Sequence, residues 1–156
     1  MSIACRLNVN GAIQSVEVDG AETLLTTLRE RLALLGAKRG CDQGVCGACT
    51  VLMDGMPVRA CLSLAANCAD SPLTTIEALN RDALGRDLQH AFVELGAVQC
   101  GFCTSGMLLT AYALLRDNPS AEFDDVREAL SGNLCRCSGY RKIIDAVLHV
   151  ARPRGS

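Results

Sequence analysis

The sequence predicts an α+β fold, with a β-grasp-like half over residues 1–76 and an all-helical half over residues 77–156. Three observations lead to this prediction. Apolar and polar residues alternate in short runs before residue 76, as in half-buried strands, whereas apolar residues recur at helical spacing after it. Cysteine-rich loops interrupt both halves, and 156 residues suffice for two small domains.

Two hairpins are predicted in the first half. Residues 3–19 alternate around Asn10-Gly11, and residues 50–53 and 57–62 flank Asp54-Gly55. Both dipeptides suit the two central positions of a type I′ turn, which need positive φ.

One helix is predicted between the hairpins, over residues 24–35, because leucines recur there on one face. Thr23 suits its N-cap and Gly36 suits a left-handed stop. Residues 73–76 form a last short strand. Strands around one helix with a cysteine loop are typical of a β-grasp domain.

A connector over residues 77–86 leads to four predicted helices in the second half. Glycine, Asn-Pro and Gly-Asn sequences end three of them, because proline cannot continue a helix and glycine readily adopts left-handed backbone. Residues 152–156 are expected to fray. The predicted helices cover residues 87–95, 104–116, 122–131 and 140–151.

The composition excludes several classes of function. The formal net charge is −2 with both signs interspersed, which argues against a nucleic-acid partner. No apolar stretch approaches the roughly 20 residues needed for a membrane span, and the chain does not begin like a signal peptide. A cytoplasmic location is therefore expected. Thiols stay reduced there, so the ten cysteines are better interpreted as metal ligands than as disulfides.

Four cysteines form a first quartet with the spacing C-x4-C-x2-C-x11-C. They are Cys41, Cys46, Cys49 and Cys61. Four thiolates hold one 2Fe-2S cluster, and C-x4-C-x2-C is the plant-type ferredoxin spacing. Intervening glycines would let backbone amides approach the negative sulfurs, and Lys38 and Arg39 would favour the reduced state. A zinc site is the alternative, since four cysteines also bind zinc.

A second quartet has the spacing C-x2-C-x31-C-x1-C. It consists of Cys100, Cys103, Cys135 and Cys137. This spacing alone leaves zinc and iron–sulfur open. Each cysteine pair precedes a predicted helix, where free N–H groups and the positive end of the helix dipole stabilise a negative centre. Arg136, Arg141 and Lys142 add positive charge, so we interpret the second quartet as another 2Fe-2S site.

Three motifs together resemble one known family. They are Gly40-Cys-x-x-Gly-x-Cys-Gly-Ala-Cys-Thr-Val51, Gln99-Cys-Gly-Phe-Cys-Thr104 and Gly132-Asn-Leu-Cys-Arg-Cys-Ser-Gly-Tyr140. The family is the iron–sulfur subunit of the molybdenum hydroxylases, which include xanthine dehydrogenase, aldehyde oxidoreductase and carbon monoxide dehydrogenase. The resemblance implies a plant 2Fe-2S ferredoxin-like domain followed by a four-helix 2Fe-2S-binding domain. Ser105 and Ser138 depart from the residues common in the family, proline and threonine.

The resemblance also implies partners for this chain. A large subunit would carry molybdopterin in its cytosine dinucleotide form, a medium subunit would carry FAD, and the resulting heterotrimer could dimerise. This chain would pass electrons from molybdenum to the flavin without a catalytic site of its own. Gln99 and Cys137 carry over as pterin contacts. A local cap on the cluster loop is the alternative role for Gln99.

Two other functions remain open at this point. A free-standing two-cluster electron carrier would have the same cysteines, although a carrier needs no second domain that shields a cluster. A zinc-stapled structural module would lack iron and sulfide. Cys5 and Cys68 are expected to be buried and not to bind metal, and His90 and His149 are not expected to be ligands. The substrate of the complex stays open.

Overall fold

The computed structural model of the chain describes residues 1–151 and contains one mixed sheet with the strand order β2-β1-β5-β3-β4. The five strands are β1 (Ser2–Val9), β2 (Ala12–Asp19), β3 (Thr50–Met53), β4 (Met56–Arg59) and β5 (Pro72–Thr74). Residues 152–156, which the sequence predicts to fray, lie outside the described residues.

Both predicted hairpins are confirmed. β1 and β2 pair in a register that ends at Val9 opposite Ala12, which leaves Asn10 and Gly11 as the turn, at φ 56° and 82°. Between β3 and β4, Asp54-Gly55 adopts φ 51° and 78°. Positive φ at both central positions is what a type I′ turn requires.

β5 joins the two hairpins into one sheet, because it runs parallel to β1 and antiparallel to β3. One face of the sheet packs on the leucines of the first helix and forms the core of the first half. Fully buried side chains in this core include Leu7, Val51, Leu73, Leu24, Leu25 and Leu28.

The prediction of one helix over residues 24–35 is wrong over its last four residues, because the helical segment ends at Arg31. The helix α1 (Leu24–Thr26) starts at Thr23, whose hydroxyl accepts from the amide of Thr26 as predicted, and continues as a π-helix, Thr27–Arg31. Ala33, at φ 54°, takes the left-handed position that was predicted for Gly36. Gly36 is needed for a different reason: its amide donates to Glu77, and a side chain there would collide with Ile76.

The second half contains the four predicted helices. They are α2 (Ala83–Glu94), α3 (Thr104–Asp117), α4 (Phe123–Ala129) and α5 (Arg141–Val150). α2 begins four residues earlier than predicted, capped by the carboxylate of Asp82, and the expected connector contains a 3-10 helix, Ile76–Arg81. Among the described residues, no helix has the length and apolar character needed to cross a membrane.

The two halves pack against each other along α3 and β3. Leu52 of β3 is buried in the same core as Phe92, Met107 and Val147 of the helical half. This contact brings the loop before β3 and the loop before α5 together, and these loops carry cysteines of both quartets.

Candidate iron–sulfur sites

The first quartet lies mainly on one loop. Cys41, Cys46 and Cys49 are placed on the glycine-rich segment before β3, and Cys61 follows the end of β4 by two residues. Cys49 and Cys61 are buried, at 2% and 5% exposure, whereas Cys41 and Cys46 are half-buried. The quartet therefore has an inner pair against the core and an outer pair nearer the solvent.

Backbone amides converge on the outer pair. The Sγ of Cys41 accepts from the amides of Gln43 (3.4 Å), Val45 (3.3 Å) and Cys46 (3.3 Å), and the Sγ of Cys46 accepts from Ala48 (3.5 Å). The amide of Cys46, followed by those of Gln43 and Val45, lowers the pKa of the Cys41 thiol to about 6. A loop that stabilises thiolate in this way fits the negative charge of a 2Fe-2S cluster.

Glycine is required at two positions of this loop. Gly44 and Gly47 have φ of 77° and 75°, which non-glycine residues rarely adopt. A β-carbon on Gly47 would also lie 2.5 Å from the carbonyl oxygen of Gly132 in the helical half. Glycines were predicted to let the backbone approach sulfur, and the structure adds close contact between the two halves at Gly47.

The second quartet sits at helix N-termini, as predicted. Cys103 is the N-cap of α3, and Cys135 and Cys137 lie in the loop that enters α5. Cys100 and Cys137 are exposed, whereas Cys103 and Cys135 are half-buried. The second quartet is therefore more open to solvent than the first.

Burial keeps some of these thiols protonated before any metal binds. It raises the pKa of Cys49 to about 11 and that of Cys103 to about 12. Burial also acts to raise the pKa of Cys135, but hydrogen bonds from the hydroxyl and amide of Ser138 and from Cys137 outweigh it and lower that pKa. Insertion of a cluster would therefore release protons from the buried thiols.

The positive charges predicted to help the clusters are partly compensated by carboxylates. Arg39 pairs with Asp42 at 3.0 Å and with Glu30 at 3.3 Å. Arg141 pairs with Asp145 at 3.0 Å on an exposed face. Carboxylates therefore offset part of the charge of these two arginines, and the hydrogen bonds to the sulfurs of Cys41 and Cys46 come from backbone amides. The effect of the arginines on the clusters stays a prediction.

The two quartets are joined by hydrogen bonds that the sequence analysis missed. The amide of Leu134, which precedes Cys135, donates to the carbonyl of Cys46 at 2.8 Å. Next to it, the buried side-chain Nδ2 of Asn133 donates to the Gly47 carbonyl (3.1 Å) and to Thr50 Oγ1 (3.3 Å). Asn133 had been predicted only as part of a helix stop, and no local signal links it to a residue 86 positions earlier.

An arginine completes this junction. Arg59 at the end of β4 donates from Nη1 to Thr50 Oγ1 (2.9 Å) and from Nη2 to the carbonyl of Gly132 (2.5 Å). Gly106 allows α3 to approach closely, since a β-carbon there would collide with the Gly47 carbonyl oxygen. These contacts hold the two cysteine loops in fixed relation.

Gln99 and Cys137 lie together at the exposed edge of the second quartet. The Nε2 of Gln99 donates to the backbone carbonyl of Cys137 at 3.2 Å, which is the local cap considered as the alternative. This bond uses one of the two protons on Nε2 of Gln99 and does not involve the side-chain oxygen Oε1. The pterin contact of both residues stays a prediction.

Other predicted residues fall outside the quartets. Cys5 and Cys68 are buried, at 5% and 1% exposure, as expected. His90 and His149 line a polar cleft of about 320 Å³ between α2 and α5, together with Asp87 and Glu94. Within residues 1–151, no three His, Cys, Asp or Glu side chains are arranged to hold a single metal ion.

The fold and its two cysteine sites define a two-cluster iron–sulfur electron-transfer protein. Residues 8–93 match the family described as "2Fe-2S iron-sulfur cluster binding domain", and residues 75–148 match the "[2Fe-2S] binding domain" family. The chain belongs to the small 2Fe-2S subunits of the molybdenum hydroxylases. Because the two matched segments overlap, the predicted domain boundary after residue 76 stays a prediction.

The similar proteins cover nearly the whole chain. It is 53% identical over 142 residues to the nicotine 6-hydroxylase small subunit of Paenarthrobacter nicotinovorans, covering 91% of this chain and 86% of that one. It is 47% identical to the nicotinate dehydrogenase small FeS subunit of Eubacterium barkeri, covering 93% and 92%. The crystal structure of quinoline 2-oxidoreductase from Pseudomonas putida 86 matches with a TM-score of 0.91 at 45% identity, covering 96% and 93%.

Family membership decides between the functions left open by the sequence. The chain is an electron-transfer subunit with two 2Fe-2S clusters in a multi-subunit molybdenum hydroxylase. The zinc-stapled module and the free-standing carrier are thereby excluded.

Proposed function

We propose that Cys41, Cys46, Cys49 and Cys61 hold one cluster, the ferredoxin-like cluster, and that Cys100, Cys103, Cys135 and Cys137 hold the other, the helical-domain cluster. Electrons enter from molybdopterin on a large subunit, pass through the helical-domain cluster and then the ferredoxin-like cluster, and leave to FAD on a medium subunit. The observation that carries this proposal is the hydrogen bond from the Leu134 amide to the Cys46 carbonyl.

This bond supports transfer in series because of the residues it connects. Cys46 is a proposed ligand of the ferredoxin-like cluster, and Leu134 is covalently joined to Cys135, a proposed ligand of the helical-domain cluster. The path between the two ligands consists of covalent bonds and one hydrogen bond of 2.8 Å. The Asn133 and Arg59 contacts prevent the loops from separating and so keep this path short.

The exposed edge of the second quartet supports entry of electrons on that side. Cys100, Cys137 and Gln99 are all exposed there. The apolar side chains Val98, Phe102 and Leu134, at 37%, 46% and 51% exposure, belong to the same two cysteine loops. A group of exposed apolar side chains around a functional site is typical of a protein–protein interface. Gln99 keeps one amide proton and its oxygen for an amide-like pterin edge.

The ferredoxin-like quartet has an apolar rim of its own. Val45, which precedes Cys46, and Leu62, which follows Cys61, are 61% and 64% exposed. Leu62 covers Gly44, where an added β-carbon would collide with it. We assign this rim to the flavin-bearing subunit, since Cys41 and Cys46 are the half-buried ligands of this quartet.

The names of the relatives support an N-heteroaromatic substrate for the complex. Nicotine, nicotinate and quinoline, which appear in those names, all contain a ring nitrogen. Aldehyde oxidoreductase subunits are also similar, at 42% identity, so an aldehyde is the second candidate. The substrate would bind on the large subunit, next to molybdopterin in its cytosine dinucleotide form, in a cytoplasmic heterotrimer that can dimerise.

Reduction of the intact complex by substrate tests the proposal. After purification from the native source and addition of a candidate N-heteroaromatic compound, electron paramagnetic resonance (EPR) should show two distinct reduced cluster species. A Gln99→Ala complex should keep both species but reduce them more slowly, whereas a Gln89→Ala control should behave as wild type. A chain that elutes alone, without molybdenum or flavin, would contradict the proposal.

A further inference from the structure

Ser138 places a hydroxyl group on a proposed cluster ligand. Its Oγ lies 3.1 Å from the Sγ of Cys135, and its amide donates to the same sulfur at 3.4 Å. Among the hydrogen bonds found in residues 1–151, this is the one between a side-chain hydroxyl and a cysteine sulfur of either quartet.

The direction of this hydrogen bond follows from its surroundings. Ser138 Oγ already accepts from the amide of Tyr140 at 3.2 Å. A thiolate that binds iron carries no proton, so Cys135 can only accept. The Ser138 hydroxyl must therefore donate its proton to the Cys135 sulfur.

Tyr140 holds the serine in this position. It adopts φ of 69°, a left-handed conformation that is uncommon for a bulky residue and that persists only where contacts fix it. Its amide donates to Ser138 Oγ, and its own hydroxyl accepts from the Cys135 amide at 3.0 Å. The three residues form a closed arrangement around one sulfur.

We propose that the Ser138 hydroxyl raises the reduction potential of the helical-domain cluster by its hydrogen bond to Cys135. Uptake of one electron converts one ferric iron to ferrous and changes the cluster charge from about −2 to about −3, with no bond formed or broken. Hydrogen bonds to the sulfurs are among the factors that set the potential, because they stabilise the more negative state. The proposal rests on the ligand assignment in the proposed function.

The consequence for electron flow is a better acceptor at the entry side. Without the hydroxyl, Cys135 keeps the amide of Ser138 but loses a donor whose proton points at the sulfur. The helical-domain cluster would then be harder to reduce, while the ferredoxin-like cluster, whose nearest donors are amides of its own loop, would not change.

An EPR-monitored redox titration of the intact complex tests this role. We expect Ser138→Ala to disfavour reduction of the helical-domain cluster about fivefold, the scale of one ordinary hydrogen bond, which corresponds to about 40 mV for one electron. The second species should keep its potential. Ser131→Ala is the matched control, since that hydroxyl donates to the Glu128 carbonyl, away from both quartets.

A pair of isosteric variants keeps the test decisive if the alanine variant loses its cluster. Ser138→Thr retains the hydroxyl, so its helical-domain cluster should keep the wild-type reduction potential. Ser138→Val has the shape of the threonine variant but no hydroxyl, so its helical-domain cluster should show the lowered potential. Equal potentials in the threonine and valine variants, or an equal shift of both clusters, would overturn the proposal. Absence of two cluster species in the wild-type complex would instead contradict the proposed function.

Discussion

Replacement of Asn133 by alanine should weaken the junction between the two halves of the protein. Asn133 is 2% exposed and uses its whole side-chain amide. Nδ2 donates to the Gly47 carbonyl and to Thr50 Oγ1, and Oδ1 accepts from Thr110 Oγ1 at 3.1 Å. Asn133→Ala removes all three hydrogen bonds.

The structure allows the cost to be estimated bond by bond. A neutral hydrogen bond contributes about 1 kcal/mol net, so the three contribute about 3 kcal/mol. The Gly47 carbonyl keeps the amide and hydroxyl of Thr50 as donors, at 3.1 and 2.6 Å. Thr110, at 6% exposure, loses its acceptor, and this adds about 1 kcal/mol. We expect a loss of about 3–4 kcal/mol.

Urea unfolding of the chain carrying both clusters, followed by visible circular dichroism, measures this loss. With a slope of about 2 kcal/mol per M, the midpoint should fall by about 1.5–2 M. Asn67→Ala, at an exposed position, is the control and should change the free energy of unfolding by less than about 0.5 kcal/mol. A midpoint for Asn133→Ala within about 0.3 M of wild type, well below the shift expected from that slope, would refute the role given to this residue.

Three further predictions concern stability. Gly106→Ala should cost about 2 kcal/mol by pushing a methyl group into the Gly47 carbonyl, whereas Gly20→Ala, with its nearest neighbour at 3.5 Å, should be tolerated; equal urea midpoints would contradict this. Ser105→Ala should stabilise the chain by about 1 kcal/mol, because Ser105 Oγ is buried and has no hydrogen-bond partner within residues 1–151; a lowered urea midpoint would show that the hydroxyl has one. Arg31, followed by Thr27, holds the pKa of Glu22 at about 2, below its ordinary 4.5, so this carboxylate stabilises the fold above pH 4.5 and loses that effect as pH falls towards 2. Glu22→Gln should therefore lower the free energy of unfolding by about 1 kcal/mol at pH 7, a value reduced by solvent screening because Arg31 is half-exposed. The difference in thermal midpoint between wild type and variant should shrink below pH 4.5. A difference that does not change with pH would be inconsistent with the ion pair.

The features that could be predicted from the sequence are those set by local chemistry. Asn10-Gly11 and Asp54-Gly55 need no distant partner to form their turns, and both hairpins are observed. Thr23 caps its helix through a residue three positions later. The spacing of the first quartet predicts a 2Fe-2S site for the same reason, since three of its four cysteines lie on one loop.

The end of the first helix could not be predicted, because tertiary contacts decide it. The local sequence predicts that Gly36 ends the helix in a left-handed conformation, but its amide donates a hydrogen bond to Glu77, 41 residues away. Ala33 takes the strained position instead. Propensity is overruled where a distant side chain fixes the backbone.

The junction between the quartets could not be predicted either, because residues distant in the sequence form it. The hydrogen bonds that cross between the halves, from Asn133 to Gly47, from Arg59 to Gly132 and from Leu134 to Cys46, each span more than 70 residues. The role of Ser138 is local by contrast, but its direction depends on the left-handed backbone of Tyr140, which no residue preference predicts. The cysteines were therefore predictable, whereas the contacts that relate the two sites were not.

The order in which the two clusters accept electrons distinguishes transfer in series from any other route through the subunit. The intact complex would be mixed with substrate, frozen within milliseconds and analysed by EPR, with a Ser138→Ala sample used to assign the species of the helical-domain cluster. With transfer in series, this species should appear first and the ferredoxin-like species should follow. Appearance of the ferredoxin-like species first, or reduction of one cluster without the other, would contradict transfer in series.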